Sequence, residues 1–169
     1  SAAMTPAVVI RPAVPADRPQ LRQAIVELQD YERRRHATRL PGEQVADDYL
    51  DWMLHQADGE GAVLVAERDG HFVGFVAGWI KQADFIAETP DSNRFGYISD
   101  ICVMPPHRGQ RIASQLLGGI EQYLRRAGIT RLRINALAVN ASALTSYERA
   151  GFAPYEILYE KLIDIESGR

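Results

Sequence analysis

A basic, glycine-containing turn before an amphipathic helix is the most informative chemical feature of the sequence. The turn reads Arg108-Gly109-Gln110-Arg111-Ile112-Ala113 and follows the apolar run Tyr97 to Met104, which ends at two prolines. Backbone N–H groups in the first turn of a helix lack partners and carry the positive end of the helix dipole. With two arginines, and a glycine where a ligand must approach the backbone, this pattern is suited to a pyrophosphate, although a short glycine motif alone is weak evidence for one. A basic, solvent-facing helix cap is the alternative.

A second stretch, residues 140–152, combines an asparagine with a tyrosine about two turns further along a short helix. Asn140 ends a strand-like run, and Tyr147 lies in the helix predicted for Ser142 to Ala150. A phenol can donate a proton to a departing thiolate. Taken alone, the same residues are better explained by an asparagine turn and a tyrosine packed on an amphipathic helix.

The elements that must position these residues alternate between strands and helices, in the order β, α, α, β, β, β, α, β, α, β. Asp69-Gly70 between two apolar runs predicts a hairpin. Ile112 and the apolar residues at helical spacing after it predict one buried face of a helix. The order predicts a mixed sheet covered by helices on both faces. The predicted strands cover residues 8–10, 62–67, 71–80, 97–104, 132–139 and 155–163.

Together, the two stretches resemble the GNAT superfamily of N-acetyltransferases. That family begins its central helix with Arg or Gln, two variable residues, Gly, one variable residue, then Gly or Ala. Arg108, Ile112 and Ala113 stand at matching positions, whereas Arg111 replaces the usual glycine. The later Asn, Tyr and Ala-Gly-Phe match the second family motif. The resemblance implies an α/β (α+β) fold and a single domain over residues 1–169. Its mixed, mostly antiparallel sheet would have six to seven strands, splay between strands 4 and 5, and be flanked by about four helices.

The resemblance also implies which residues bind acetyl-coenzyme A, the co-substrate. Strand main chain would pair with the pantetheine arm, the basic turn would hold the pyrophosphate, and Asn140 would hydrogen-bond the coenzyme. Tyr147 would act as general acid toward the leaving thiolate. Transfer would be direct, and a backbone N–H of the fourth strand would hold the oxyanion of the tetrahedral intermediate. The implied coenzyme-binding residues are Ile101, Cys102, Val103, Arg108, Gly109, Gln110, Arg111, Ile112, Ala113, Ser114, Asn140 and Tyr147.

Asp100 is the candidate general base for the acceptor amine, either directly or through water. It interrupts an apolar strand, so partial burial should raise its pKa. A structural carboxylate bonded to backbone or Tyr97 is the alternative. Strand alternation puts Asp100 and Cys102 on one face and Ile101 and Val103 on the other. We expect Cys102 to be a small buried hydrophobe rather than a nucleophile, because no histidine is linked to it in sequence.

The acceptor is expected between the first two helices and the loop before the fourth strand. The acidic bias of these segments would suit a cationic amine, although ordinary solvated charge explains it equally well. A polyamine, an amino acid, an aminoglycoside and a peptide N-terminus all stay open as acceptors. The candidate residues are Tyr31, Glu32, Asp47, Asp48, Asp84, Phe85, Glu88 and Asp91.

Composition limits the other classes of function. The net charge of −3 disfavours nucleic acid as a partner, and no apolar run approaches the ~18 residues that span a bilayer. One cysteine excludes an intramolecular disulfide and favours a cytoplasmic setting. Four histidines show no metal-ligand spacing, so we expect no metal. Ser1-Ala2-Ala3 before Met4 reads as a remnant of cloning.

Two other functions compete with catalysis. A coenzyme A-binding regulatory module without turnover would explain Arg111 in place of glycine, whereas Tyr147 speaks for an enzyme. A protein-interaction domain on the same fold would need no coenzyme. A homodimer is implied by the resemblance alone, and the apolar stretch Ile157-Leu158-Tyr159 is compatible with an intersubunit contact.

Overall fold

The computed structural model describes residues 4–165, so the predicted cloning remnant lies outside the described residues. Two short 3₁₀ turns, Pro15–Asp17 and Pro105–His107, precede the first and third helices. The described strands and helices are β1 Val8–Pro12, α1 Arg18–Arg33, α2 Gly42–Ala57, β2 Gly61–Arg68, β3 His71–Gln82, β4 Arg94–Val103, α3 Ile112–Arg126, β5 Leu132–Ile134 and α4 Ala141–Arg149.

The strands form a mixed sheet in the order β1-β2-β3-β4-β5. The first three pairs are antiparallel, and only β4 and β5 run parallel. The predicted hairpin between β2 and β3 is confirmed: Asp69 and Gly70 have φ of 52° and 76°, the positive values that a two-residue hairpin turn requires. The mixed, mostly antiparallel architecture is therefore as expected.

Helices cover both faces of the sheet, as the element order predicted. On one face, α1 and α2 bury Leu21, Leu50 and Met53 against Phe75 of β3. On the other, α3 contributes an apolar stripe that is at most 1% exposed. This stripe is the one predicted from helical spacing and consists of Ile112, Leu116, Ile120 and Leu124.

Strand β4 carries a bulge and then separates from its parallel neighbour. Ala77 pairs with Asp100 but Gly78 pairs with Ile98, so Ser99 is an extra residue on β4. The bulge switches the side on which the buried residues lie: Ile98 packs toward α3, whereas Cys102 packs toward α1 and α2. Pairing with β5 ends at Ile98, so the following part of β4 has an open edge on the β5 side. This opening is the splay expected from the family resemblance.

The C-terminal part of the predicted sheet is wrong in two respects. The strand predicted for 132–139 is three residues long, and no strand forms at 155–163. The described sheet therefore has five strands instead of six to seven. The physical reason is pairing: residues 155–163 are all exposed and no described strand lies against them, although their residue types have a high strand propensity.

Candidate active site

A cavity of about 1030 Å³ lies where β4 and β5 separate. Its walls come from the C-terminal half of α1, the end of β4, the turn before α3, and α4 along its length. Every residue predicted to bind coenzyme lines this cavity except Gln110, whose side chain accepts a hydrogen bond from Arg68 at the end of β2. Two motifs that are about 30 residues apart in sequence thus form one site.

The turn before α3 leaves its first helical N–H groups open to the cavity. Arg111 is the N-cap of α3, and no side chain caps this helix. Gly109 has a φ of 75° and open space where a side chain would stand. Uncapped N–H groups at a helix start, next to free space, have the chemistry to bind a pyrophosphate.

Arg111 adopts the left-handed conformation, with φ 64° and ψ 18°. This explains why glycine is usual at the matching family position, since a side chain costs energy at positive φ. The guanidinium lines the cavity, and within residues 4–165 no hydrogen bond or ion pair is made by it. Arg111 therefore offers an available positive charge at the helix start.

Arg108, in contrast, is already engaged at the end of β4. Its Nε donates to the Val103 carbonyl oxygen at 3.1 Å, and its Nη2 lies 3.4 Å from Glu27 Oε1 on α1. The guanidinium also lies 5.3 Å from the centre of the Tyr31 ring. These contacts fix the start of the basic turn against α1.

Asn140 is the N-cap of α4 and faces α1 across the cavity. Its Oδ1 accepts a hydrogen bond from the Ala143 N–H at 3.2 Å and a longer one from the Tyr31 hydroxyl at 3.4 Å. Because both bonds use the oxygen, the amide nitrogen keeps its donors; in the described part of the chain nothing accepts from it. Asn140 thus combines a structural cap with free donors toward the cavity.

Tyr147 lies on α4, with its ring 6.2 Å from that of Phe152. Burial raises the pKa of its phenol to about 12, and the charges of Glu32 and Asp100 act in the same direction. The hydroxyl bonds to none of residues 4–165. A protonated phenol facing the larger cavity can serve as a proton donor.

Asp100 is 8% exposed and holds a compact hydrogen-bond network. The Tyr49 hydroxyl lies 2.8 Å from both carboxylate oxygens, and the Ser99 hydroxyl donates to Oδ2 at 2.7 Å. Burial raises the pKa of Asp100, the two hydrogen bonds lower it, and the nearby charge of Glu32 raises it. The tyrosine that bonds to Asp100 is Tyr49 on α2, not Tyr97, which the structural alternative named.

Cys102 shares the face of Asp100, as strand alternation predicted. It is 5% exposed, and burial raises its pKa to about 12. A thiol that stays protonated at neutral pH is a poor nucleophile. The side chain therefore behaves as the small hydrophobe that was expected.

A second cavity of about 260 Å³ adjoins the first between α1, α2 and β4. Four residues line both cavities, which marks the place where the two meet: Leu28, Glu32, Ser99 and Asp100. Of the acidic and aromatic residues proposed to hold the acceptor, only Tyr31 and Glu32 line a cavity. Asp47 pairs with Arg22, Asp91 pairs with Arg131, and Glu88 accepts from Ser92. Asp48, Asp84 and Phe85 are exposed outside both cavities.

Sequence reasoning missed Tyr49, Ser99 and Arg39 as residues of this site. Tyr49 is 51 residues away from Asp100 in the sequence. A local pattern carries no signal for such a contact. The only clue for Ser99 was its position beside an aspartate in a strand.

The mixed sheet that opens between β4 and β5 and the cavity at this opening define a class of protein. Comparison with known proteins identifies that class. The model of the acetyltransferase (GNAT) family matches residues 25–152. The chain therefore belongs to the GNAT family of acetyltransferases.

Two curated relatives illustrate the range of sequence similarity. The chain is 36% identical over 90 residues to a mycothiol acetyltransferase of Brachybacterium faecium, which covers 53% of this chain and 25% of that protein. It is 29% identical over 113 residues to aminoglycoside N(6′)-acetyltransferase type 1 of Stenotrophomonas maltophilia, which covers 66% and 72% respectively. Among the first three curated relatives, the matched region spans 25%, 53% and 28% of their lengths.

A solved structure, aminoglycoside N-acetyltransferase AAC(6′)-Iy in complex with CoA, has the same fold. Its TM-score is 0.71 at 20% identity, with 95% of this chain and 99% of that chain covered. In residues 4–165, no helix is long and apolar enough to cross a membrane. Within the same residues, no three His, Cys, Asp or Glu side chains are arranged to hold a metal ion.

Proposed function

We propose that this chain is an N-acetyltransferase that moves the acetyl group of acetyl-coenzyme A directly to a primary amine of a small molecule or peptide. The observation that carries the proposal is the buried carboxylate of Asp100, where the two cavities meet. A donor in the larger cavity and an acceptor in the smaller one would meet beside a base. Family membership supports the same reaction.

The lining of the larger cavity fits acetyl-coenzyme A. The main chain of Ile101 and Val103, on the part of β4 that has left β5, would bind the pantetheine arm. The N–H groups of residues 112–114 and the guanidinium of Arg111 would hold the pyrophosphate. The amide nitrogen of Asn140 would hydrogen-bond the coenzyme. When bound, the coenzyme supplies an activated acyl group on a thiolate leaving group.

Asp100 would accept the proton that an ammonium group must lose before its nitrogen can attack. Burial raises the pKa of this carboxyl, which makes it a stronger base than an exposed aspartate. Tyr49 and Ser99 orient the carboxylate with one hydroxyl each, and their hydrogen bonds favour its charged form. The extra residue Ser99 also disrupts the β3–β4 ladder at this point, where a β4 N–H would hold the oxyanion.

Tyr147 would donate its phenolic proton to the departing thiolate. Its raised pKa, about 12, keeps the phenol protonated at neutral pH. Tyr147 and Asp100 both line the larger cavity, so one site holds a proton donor and a proton acceptor. After transfer Asp100 holds an extra proton and Tyr147 lacks one. Proton exchange with solvent would restore both groups to their starting states.

The test combines ligand binding with turnover. Acetyl-coenzyme A at one hundred times its dissociation constant adds about 2.7 kcal/mol, which raises the melting temperature by roughly 5–10 °C. Tyr147→Phe should keep this rise but lower the rate of thiol release with amines by about 100-fold or more. Tyr123→Phe, on the exposed face of α3, is the matched control and should leave both unchanged.

Two outcomes would contradict the proposal. No rise in melting temperature at millimolar acetyl-coenzyme A would favour an interaction domain without coenzyme. A rise without turnover of any amine would favour a coenzyme-binding regulatory module.

The setting of the enzyme is part of the proposal. We propose that residues 1–169 act as one acetyltransferase domain in the cytoplasm, which the lone reduced Cys102 supports. We further propose a homodimer in which the exposed C-terminal segment contacts a second copy.

A further inference from the structure

We propose that the preferred acceptor is a small amine that also carries an anionic group, and that Arg39 binds this anion in the second cavity. The inference rests on the proposed function and names the substrate class of the same site. It follows from the size of the cavity, the charges that line it, and the free donors of one guanidinium.

The second cavity restricts the size of its occupant. Its volume of about 260 Å³ is below the roughly 300–1,000 Å³ of sites that enclose drug-sized ligands. An amine of a few carbon atoms fits such a space, whereas an oligosaccharide must extend outside it. The junction with the larger cavity, at Asp100, fixes where the reacting nitrogen would lie.

The charged side chains of this cavity form an asymmetric set. Glu32 and Asp100 are carboxylates, and Arg39 brings a guanidinium to the same lining. Arg39 Nε lies 3.3 Å from Glu32 Oε2, with side chains 36% and 29% exposed. A simple cationic amine would meet a like charge at Arg39, whereas an amine with an anion would find an opposite charge for each of its ends.

Arg39 has donors left for a ligand. Its Nε faces Glu32 and its Nη1 donates to the Thr38 hydroxyl at 2.9 Å, so two of five N–H groups are engaged. None of residues 4–165 accepts a hydrogen bond from Nη2. A carboxylate or phosphonate is the group that a guanidinium fork binds best. Binding it here would leave Glu32 to attract the ammonium end.

The position of Arg39 is held by its neighbours. It lies in the connection between α1 and α2, where Gln29 Nε2 donates to the Leu40 carbonyl oxygen at 3.1 Å and the Arg39 N–H points to the His36 carbonyl oxygen at 3.4 Å. The guanidinium therefore lines the cavity from an anchored backbone.

The experiment compares three amines of equal chain length with the full-length protein and acetyl-coenzyme A. These are β-alanine, 3-aminopropanol and 1,3-diaminopropane, whose second groups are anionic, neutral and cationic. We expect kcat/KM to fall in that order, with at least a tenfold difference between the first and the second, as one charged hydrogen-bond pair provides.

Arg39→Gln should raise the KM for β-alanine about tenfold or more and leave its kcat and the KM for acetyl-coenzyme A nearly unchanged. It should not change kcat/KM for 3-aminopropanol. Arg33→Gln, on the exposed side of α1, is the matched control and should alter none of these values. Calorimetric binding of β-alanine in the presence of coenzyme A, which cannot transfer an acetyl group, gives a readout without turnover and should weaken only in Arg39→Gln.

Three results separate the possible failures. Equal or better turnover of 1,3-diaminopropane than of β-alanine would overturn the inference and leave the acetyltransferase proposal intact. An equal loss for all three amines in Arg39→Gln would assign Arg39 a structural role. Coenzyme binding without turnover of any amine would defeat the proposed function, and the inference with it.

Discussion

Arg111 stands where the family motif usually has glycine. Because its backbone is in the left-handed conformation, this replacement should lower the stability of the folded protein. A non-glycine residue in the left-handed region destabilises the folded state by about 1–2 kcal/mol. Replacing it with glycine removes this cost but adds a smaller one, because glycine has more conformational entropy in the unfolded state. Arg111→Gly should therefore raise the melting temperature of the free protein by a few degrees. The same change should reduce the rise caused by acetyl-coenzyme A, because a charge beside the pyrophosphate is lost.

Asp69 provides a control for these two opposite effects on the melting temperature, one without and one with acetyl-coenzyme A. It is the other described non-glycine residue with positive φ, at 52°, and it lies in the β2–β3 turn away from both cavities. Asp69→Gly should change the melting temperature of the free protein in the same direction as Arg111→Gly. It should not change the rise in melting temperature that acetyl-coenzyme A causes. Unchanged coenzyme binding in Arg111→Gly would remove Arg111 from the phosphate site.

Tyr49 should set the pH at which the enzyme begins to work. Its hydroxyl donates to Asp100, and a hydrogen bond to the charged form lowers the pKa of a carboxyl. Tyr49→Phe should raise the pKa of Asp100, so activity is lost at a higher pH as the solution is acidified. Loss of one charged hydrogen bond corresponds to a shift of about one pH unit in the acid limb of kcat/KM.

Tyr97→Phe tests whether that shift belongs to the hydrogen bond. Tyr97 lies on β4, three residues before Asp100, and its hydroxyl makes no hydrogen bond to that carboxylate in the described structure. The acid limb of kcat/KM for Tyr97→Phe should coincide with that of the unchanged protein. An unshifted profile in Tyr49→Phe would mean that Asp100 is not the group whose ionisation limits the rate.

At the scale of elements, Gly42 controls how closely α2 approaches α1. A Cβ at this position would lie 2.6 Å from the Val26 carbonyl oxygen and 2.8 Å from its Cα. The Gly42 N–H also donates to Asp30 Oδ1 at 2.7 Å, which joins the two helices. Since α2 carries Tyr49, the spacing of these helices determines whether the phenol reaches Asp100.

Gly42→Ala should destabilise the protein by about 1–3 kcal/mol, the usual cost of overpacking. It should also shift the acid limb of activity in the same direction as Tyr49→Phe, because α2 must move outward. Urea unfolding and a pH–rate profile measure the two effects. Gly59→Ala, where no atom lies within 4 Å of the new Cβ, should change the free energy of unfolding by no more than about 0.5 kcal/mol.

At the scale of the whole molecule, the segment after α4 exposes large apolar side chains that its own chain does not cover. In an extended conformation, Tyr155, Ile157, Tyr159 and Ile163 would share one face with Lys161, and these four apolar and aromatic residues are 60–87% exposed. In the described sheet no strand pairs with the outer edge of β5. The apolar segment of one copy and the free β5 edge of a second copy would complement each other.

The segment also contacts its own chain. The Arg133 guanidinium lies 4.7 Å from the centre of the Tyr155 ring, and Glu160 Oε1 is 3.5 Å from His36 Nε2. A stable dimer formed by reciprocal exchange of such segments would have to bury roughly 1,200–2,000 Å² in total.

We predict a particle of twice the chain mass in light scattering at micromolar concentration. The double change Ile157→Glu and Tyr159→Glu should convert it to a monomer, because two charges would be buried in the interface. Glu156→Gln, on the other face of the segment, should remain dimeric. A monomer for the unchanged protein would refute the exchange.

The sequence by itself determined most of the helices and strands and most of the residues that line the larger cavity. Helical spacing identified the buried stripe of α3, Asp-Gly identified the hairpin, and alternation placed Asp100 with Cys102. These signals are local, because periodicity and turn chemistry act within a few residues.

Only the tertiary structure decided what surrounds Asp100 and how residues 155–163 are arranged. The contact of Asp100 with Tyr49 and the meeting of Glu32 with Arg39 depend on how α1 and α2 lie on the sheet. The bulge at Ser99 depends on the register with β3. The stretch 155–163 has the composition of a strand, but strand formation requires pairing, and in the described structure this stretch pairs with no strand, including the free outer edge of β5.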